Sequence, residues 1–157
     1  MSRPIHFEVK GAIYFVTSRT ANGEHFLAEP GYKQAVVDAI QAKTGELGVS
    51  VTAYVVMPNH YHLLLGLSSE MKIDKAMKHI NGYSAFALNK VLQRKGAFWQ
   101  GGFFDFVVLQ EKKFTGKVNY IHYNPVRWGL VEQPQDYKYS SAGDFMGRYG
   151  ACVFFVE

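Results

Sequence analysis

The chain has 157 residues, 48% of them apolar and 15% aromatic, with a formal charge of +4 and a single cysteine, Cys152. That is enough for one domain with a sizeable core; it excludes a disordered polymer, an internal disulfide and a cysteine-based zinc site. No stretch reaches the ~18 apolar residues a membrane helix needs, and residues 1–10 are too polar for a leader, so the expectation is one soluble cytoplasmic domain spanning residues 1–157.

Residues 11–20 alternate and are rich in β-formers, which predicts a first strand. Residues 30–47 carry Ala35, Val36, Ala39 and Ile40 at helical spacing and end near Gly48, a helix followed by a stop. Residues 49–57 form a second strand, Pro58-Asn59 a turn, and residues 60–67 a third strand. Ser68-Ser69 offers a cap for a long helix over residues 71–92, with Ile73, Met77, Ile80, Tyr83 and Ala87 on its buried face. Gly101-Gly102 precedes an aromatic fourth strand over residues 103–109. A third helix starts near Lys112 and is expected to stop at Asn124, because Pro125 disfavours helical geometry in the residue before it. Turns follow around Pro134 and Ser140-Ser141, and residues 152–156 add an edge strand. The order βαββαβ predicts an α+β, ferredoxin-like sandwich: an antiparallel sheet, two helices on one face, and an extra C-terminal helix docked separately.

The positive charge is unevenly spread. Residues 61–100 hold six Lys/Arg (Lys72, Lys75, Lys78, Lys90, Arg94, Lys95) against Glu70 and Asp74; residues 1–60 balance five against five and residues 101–157 six against six. Such a cluster is either a solvated helix face or a surface that follows a phosphate backbone. Phe98, Trp99, Phe103, Phe104 and Phe106 offer faces for unpaired bases, or core.

Two motifs carry chemistry. His60-Tyr61-His62 enters an apolar strand, where alternation points both imidazoles one way. Buried rings need partners for their nitrogens; these are either protein groups or a divalent metal. On the third helix, Tyr120 and Asn124 are one turn apart on one face. Asn offers a hard oxygen suited to Mg²⁺ or Mn²⁺, and Tyr a phenol able to attack phosphorus, although core plus cap would also account for the pair. His122 reads as a structural or phosphate-contacting residue, and Arg127 as a bidentate phosphate holder or an internal ion-pair partner.

Taken in order, several segments resemble one family: Met57-Pro58-Asn59-His60-Tyr61-His62-Leu63-Leu64, Phe98-Trp99-Gln100-Gly101, Tyr120-Ile121-His122-Tyr123-Asn124-Pro125-Val126-Arg127, Gly129-Leu130-Val131, and Asp136-Tyr137 with Ser140-Ser141. The chain resembles the REP-associated tyrosine transposases, a branch of the single-tyrosine HUH (insertion-sequence-200-like) transposases that act on single-stranded DNA. The resemblance implies a metal-dependent single-strand endonuclease and strand transferase. His60, His62 and Asn124 would hold Mg²⁺ or Mn²⁺, and Tyr120 would join the 5′ phosphate and release a 3′-OH. The implied partners are DNA hairpins of the repeated extragenic palindrome type, bound by a monomer or homodimer with no membrane involved. Arg127, Lys72, Lys75, Lys78, Arg94, Lys95 and Trp99 are the expected DNA contacts, the basic helix lying near enough to the site to guide DNA. Three residues depart from the pattern: Tyr61 replaces a smaller aliphatic residue and could reach substrate, Trp128 replaces a small residue, and Tyr139 replaces a Trp. The competing readings are a catalytically silent single-stranded nucleic-acid-binding module, and a metal-dependent hydrolase using water, which lacks a carboxylate base beside the histidines.

Overall fold

The computed structural model describes residues 11–149. Four strands, β1 (Ala12–Arg19), β2 (Ser50–Met57), β3 (His60–Leu67) and β4 (Phe104–Val107), pair in the order β2-β3-β1-β4, antiparallel throughout. Helices α1 (Pro30–Leu47) and α2 (Ile73–Leu92) are the crossovers, and α3 (Glu111–Arg127) and α4 (Ala142–Tyr149) follow the sheet. This is the ferredoxin-like βαββαβ arrangement expected from the order of elements, with helices added behind it. The edge strand predicted over residues 152–156 lies outside the described residues.

Alternation along the strands sorts the side chains into two cores. Val16, Tyr61, Leu63 and Leu65 face α1 and α2, meeting Val36, Ile40, Met77 and Ile80. Phe15, Val55, Met57 and Leu64 face the other way, meeting Val118 and Ile121 of α3 and Phe145 of α4. Both faces of the sheet are therefore covered, and β3 reads as a near-continuous apolar run for that reason.

Several local expectations are corrected. Ser68-Ser69 does not cap α2; the N-cap is Lys72, with no side-chain cap bond. The buried stripe of α2 is Ala76, Met77, Ile80, Ser84 and Leu88, so Tyr83 and Ala87 fall outside it and Tyr83 is exposed. Strand β4 is shorter than expected, and α4 begins directly after the predicted turn at Ser140-Ser141.

Helix α3 does not stop at Asn124 but runs through Pro125 to Arg127. Near a helix end a proline forfeits one backbone bond, and here the end is closed by other means. Gly129 adopts φ 74°, Gly129 N–H donates to Val126 O (2.9 Å) and Leu130 N–H to Pro125 O (2.9 Å). That is the paired-bond helix stop with a left-handed glycine, and it fixes the direction of Trp128 at the cap.

The tail clips onto the outer edge of β2. Val56 N–H donates to Tyr139 O (2.8 Å), Ser141 N–H to Tyr54 O (3.0 Å), and the Tyr137 hydroxyl to Val56 O (2.6 Å). The Asp136-Tyr137 and Ser140-Ser141 motif is thus structural: it supplies partners that an edge strand would otherwise lack. His122 belongs to the same clamp, bonded through Nε2 to Ser141 Oγ (2.7 Å) and packed on Phe145.

Candidate active site

His60 and His62 open β3 on the face that carries α3, each only 4% exposed. Their rings lie 4.8 Å apart, centre to centre. Each ring is held by its Nδ1. His60 Nδ1 pairs with Asn59 Oδ1 (2.8 Å), and the Asn59 amide donates to Gly23 O (3.3 Å), which fixes its carbonyl toward the imidazole. An amide oxygen only accepts, so His60 carries its proton on Nδ1 and presents a bare Nε2. His62 Nδ1 pairs with the hydroxyl of Thr17 (2.8 Å), its cross-strand partner in the β1–β3 register. Orienting one ring nitrogen so that the other is free is how proteins prepare a metal-binding imidazole.

Burial lowers both imidazoles below the usual histidine range: His60 to about 4, with Arg19 adding to the effect, and His62 to about 3, with His60, Arg19, Lys117 and Arg127 adding. Both rings are therefore neutral near pH 7, the state a cation needs.

Helix α3 lies across the pair. The Tyr120 ring stands 5.3 Å from that of His62, and the Trp128 ring 5.3 Å from that of His60. Residues 120, 124 and 128 form one stripe at helical spacing, so Asn124 falls between the two contacts, facing the imidazoles. Asn124 is 3% exposed, and its Oδ1 is buried with no hydrogen-bond partner. A bare buried carbonyl oxygen costs about 1–3 kcal/mol, and it lies on the stripe that faces two free imidazole nitrogens. No group of three His, Cys, Asp or Glu suited to a metal occurs among the described residues. A cation here would have two imidazoles, one amide oxygen and open positions. That donor set fits a divalent ion which takes its remaining oxygens from substrate.

Tyr120 is 44% exposed, so the residue is within reach of a large substrate. Arg127 places its guanidinium 4.6 Å from the Tyr120 ring centre and donates to the Tyr120 carbonyl; Lys117 Nζ lies 5.8 Å from the same ring and 4.4 Å from that of Phe15. Among the described residues Arg127 has no ion-pair partner, and its guanidinium is held by the Tyr120 carbonyl instead. Sequence reasoning missed Thr17, Arg19 and Lys117, and it did not assign Asn59 its orienting role. Thr17 and Arg19 come from β1, brought to the histidines by strand pairing that no spacing reveals; Lys117 sits three residues before Tyr120 and was legible on the helix.

The remaining expected DNA contacts lie elsewhere. Trp99 is buried, its indole N–H donating to Ser84 Oγ (2.9 Å), with Tyr61 and Phe98 against its ring. Tyr61 does not reach toward substrate: it is fully buried and its hydroxyl donates to Asn81 Oδ1. Arg94 closes α2, donating to Asn89 Oδ1 (2.8 Å), and stacks on Phe26 at 4.1 Å. Lys72, Lys75, Lys78 and Lys95 are exposed, but α2 covers the face of the sheet opposite the histidines. The basic helix is therefore not beside the site.

A family profile described as Transposase IS200 like matches residues 9–124, a span from β1 to Asn124. The chain belongs to that transposase family. Among its relatives is a REP-associated tyrosine transposase of Escherichia coli strain K12, 26% identical over 149 residues, covering 90% of this chain and 82% of that one. A Haemophilus influenzae protein assigned to the same group is 26% identical over 146 residues, covering 84% and 80%. A solved REP-associated tyrosine transposase, described as bound to a REP hairpin, superposes with a TM-score of 0.78 at 23% identity, over 100% of this chain and 92% of that one. No helix among the described residues is long and apolar enough to cross a membrane.

Proposed function

We propose that this transposase cuts and rejoins single-stranded DNA beside hairpins of the palindromic repeat type, with Tyr120 as the nucleophile. One observation carries the reading. The half-exposed Tyr120 stands 5.3 Å from His62, ring to ring, and one turn along the same helix Asn124 carries a buried amide oxygen with no hydrogen-bond partner. The hairpin preference follows the relative described with such a DNA.

His60, His62 and Asn124 would hold Mg²⁺ or Mn²⁺, which when bound would polarise the scissile phosphate and neutralise its charge. The remaining steps belong to the chain. Tyr120 Oη attacks phosphorus and gives up its proton; the P–O3′ bond breaks and the 3′ oxygen leaves as a hydroxyl. The 5′ phosphate stays esterified to Tyr120, so the bond energy is kept for a later attack by another 3′-OH. Arg127 and Lys117 stand over the ring and stabilise the negative charge that passes through it.

Incubating the protein with single-stranded hairpin oligonucleotides and Mg²⁺ or Mn²⁺ tests this directly. A covalent protein–DNA species resistant to denaturant is expected, lost with chelator and abolished by Tyr120→Phe. Persistence of the adduct in Tyr120→Phe overturns the assignment of the nucleophile. Hairpin binding without any adduct, unchanged by chelator, would leave a non-catalytic binding module.

A further inference from the structure

The structure assigns Trp128 a base-stacking role at the site: it holds an unpaired nucleobase next to the phosphate that Tyr120 attacks, and Phe104 supports a second base on the other flank. The inference rests on the single-stranded substrate proposed above, but its test needs no cleavage.

Three observations carry it. Trp128 is 44% exposed although its ring packs 5.3 Å from His60 at a 50° tilt, so it borders the site and remains partly open to solvent. Its backbone is fixed at the helix end: the main-chain N–H donates to Asn124 O (3.1 Å), and left-handed Gly129 follows it. A preorganised aromatic face loses little entropy on binding. Finally, Phe104 is 57% exposed on β4, opposite Thr17, which is itself opposite His62. Two strand spacings put Phe104 about 10 Å from His62 along that row. Its ring meets Phe15, which also touches Tyr120. The phenol thus stands between two exposed aromatic faces, with Arg127 and Lys117 over its ring to take the backbone. A strand laid over the site would turn its bases onto the rings on either side. Every base has a face to stack, so this contact is tolerant of sequence.

The chain has two tryptophans, and Trp99 is buried with its N–H satisfied. Fluorescence quenching by DNA therefore reports Trp128. In the Tyr120→Phe protein with Mg²⁺, a dT12 oligonucleotide should quench the emission, and a twelve-unit abasic oligomer with the same phosphates should not. Trp128→Leu keeps an apolar cover on His60 and should weaken dT12 binding, followed by anisotropy of a labelled oligomer, by about tenfold. Abasic binding should be unchanged, and Trp128→Tyr should recover most of the loss. Equal weakening for both oligomers, or quenching that survives Trp128→Leu, overturns the proposal. Absence of a covalent adduct in the cleavage assay would bear on Tyr120 and leave this measurement unaffected.

Discussion

The two faces of the sheet are built from neighbouring residues and do opposite things. Tyr61 points into the α1–α2 core, where burial drives its phenol far above the usual tyrosine range and the hydroxyl is spent on Asn81. His60 and His62, one position to either side, point at α3, where the polar atoms are left free for something outside the chain. On the first face the Tyr61 hydroxyl finds Asn81 Oδ1; on the other, the acceptor Asn124 Oδ1 is buried without a hydrogen-bond partner. A one-residue change of strand phase separates stability from chemistry.

Adjacent substitutions should expose that split most strongly. Tyr61→Ala empties a fully buried site and should cost about 3–5 kcal/mol of stability, measured by urea unfolding. His62→Ala should cost much less while eliminating adduct formation. If the two variants lose stability equally, His62 is a packing residue like Tyr61.

Acid should act on the face of the histidines. His60 and His122 fall to about 4, and His62 to about 3, against 6.5 in the unfolded chain, each chiefly by burial. Folding favours the neutral rings, so this contribution is intact above pH 6.5 and is lost as pH falls through the range between 6.5 and 4. At pH 5 the loss should be about 1–2 kcal/mol per histidine, seen as a lower urea midpoint than at pH 7. A midpoint that does not move between these values would show that the rings charge without penalty.

Asn59→Ala tests a subtler dependence, since it removes only the group that orients His60. Metal affinity, followed by isothermal titration with Mn²⁺, should fall about 10–100-fold with little change in stability. An unchanged affinity would show that β3 alone sets the ring.

Strand phase, the βαββαβ order and the Tyr120–Asn124 spacing were all legible because they depend on local periodicity. What escaped were properties of contact between distant segments. Thr17 and Arg19 become site residues through register with β3, and Trp99 looked like a platform until Ser84 took its N–H. Pro125 alone reads as a stop signal, whereas the helix is closed at low cost by Gly129, four residues on. Charge was the least reliable guide, since a sequence count assigns no side of a sheet.

That last point yields the smallest expected effect and a clear contrast. Lys117 and Arg127 contact the Tyr120 ring, whereas Lys75 and Lys78 sit on the outer face of α2, with the sheet between them and the histidines. Exposed charges separated by more than the ~10 Å screening length at 0.1 M salt interact weakly. Lys117→Ala should lower adduct yield severalfold even at 0.15 M salt, because its partner is a local transition-state charge. The double variant Lys75→Ala, Lys78→Ala should change the yield by less than about twofold there, and only at low salt should it slow association, by weakening the long-range field. If instead the α2 pair matters more than Lys117 at 0.15 M salt, the DNA must wrap from the site around the sheet edge, and the basic helix would be part of its path after all.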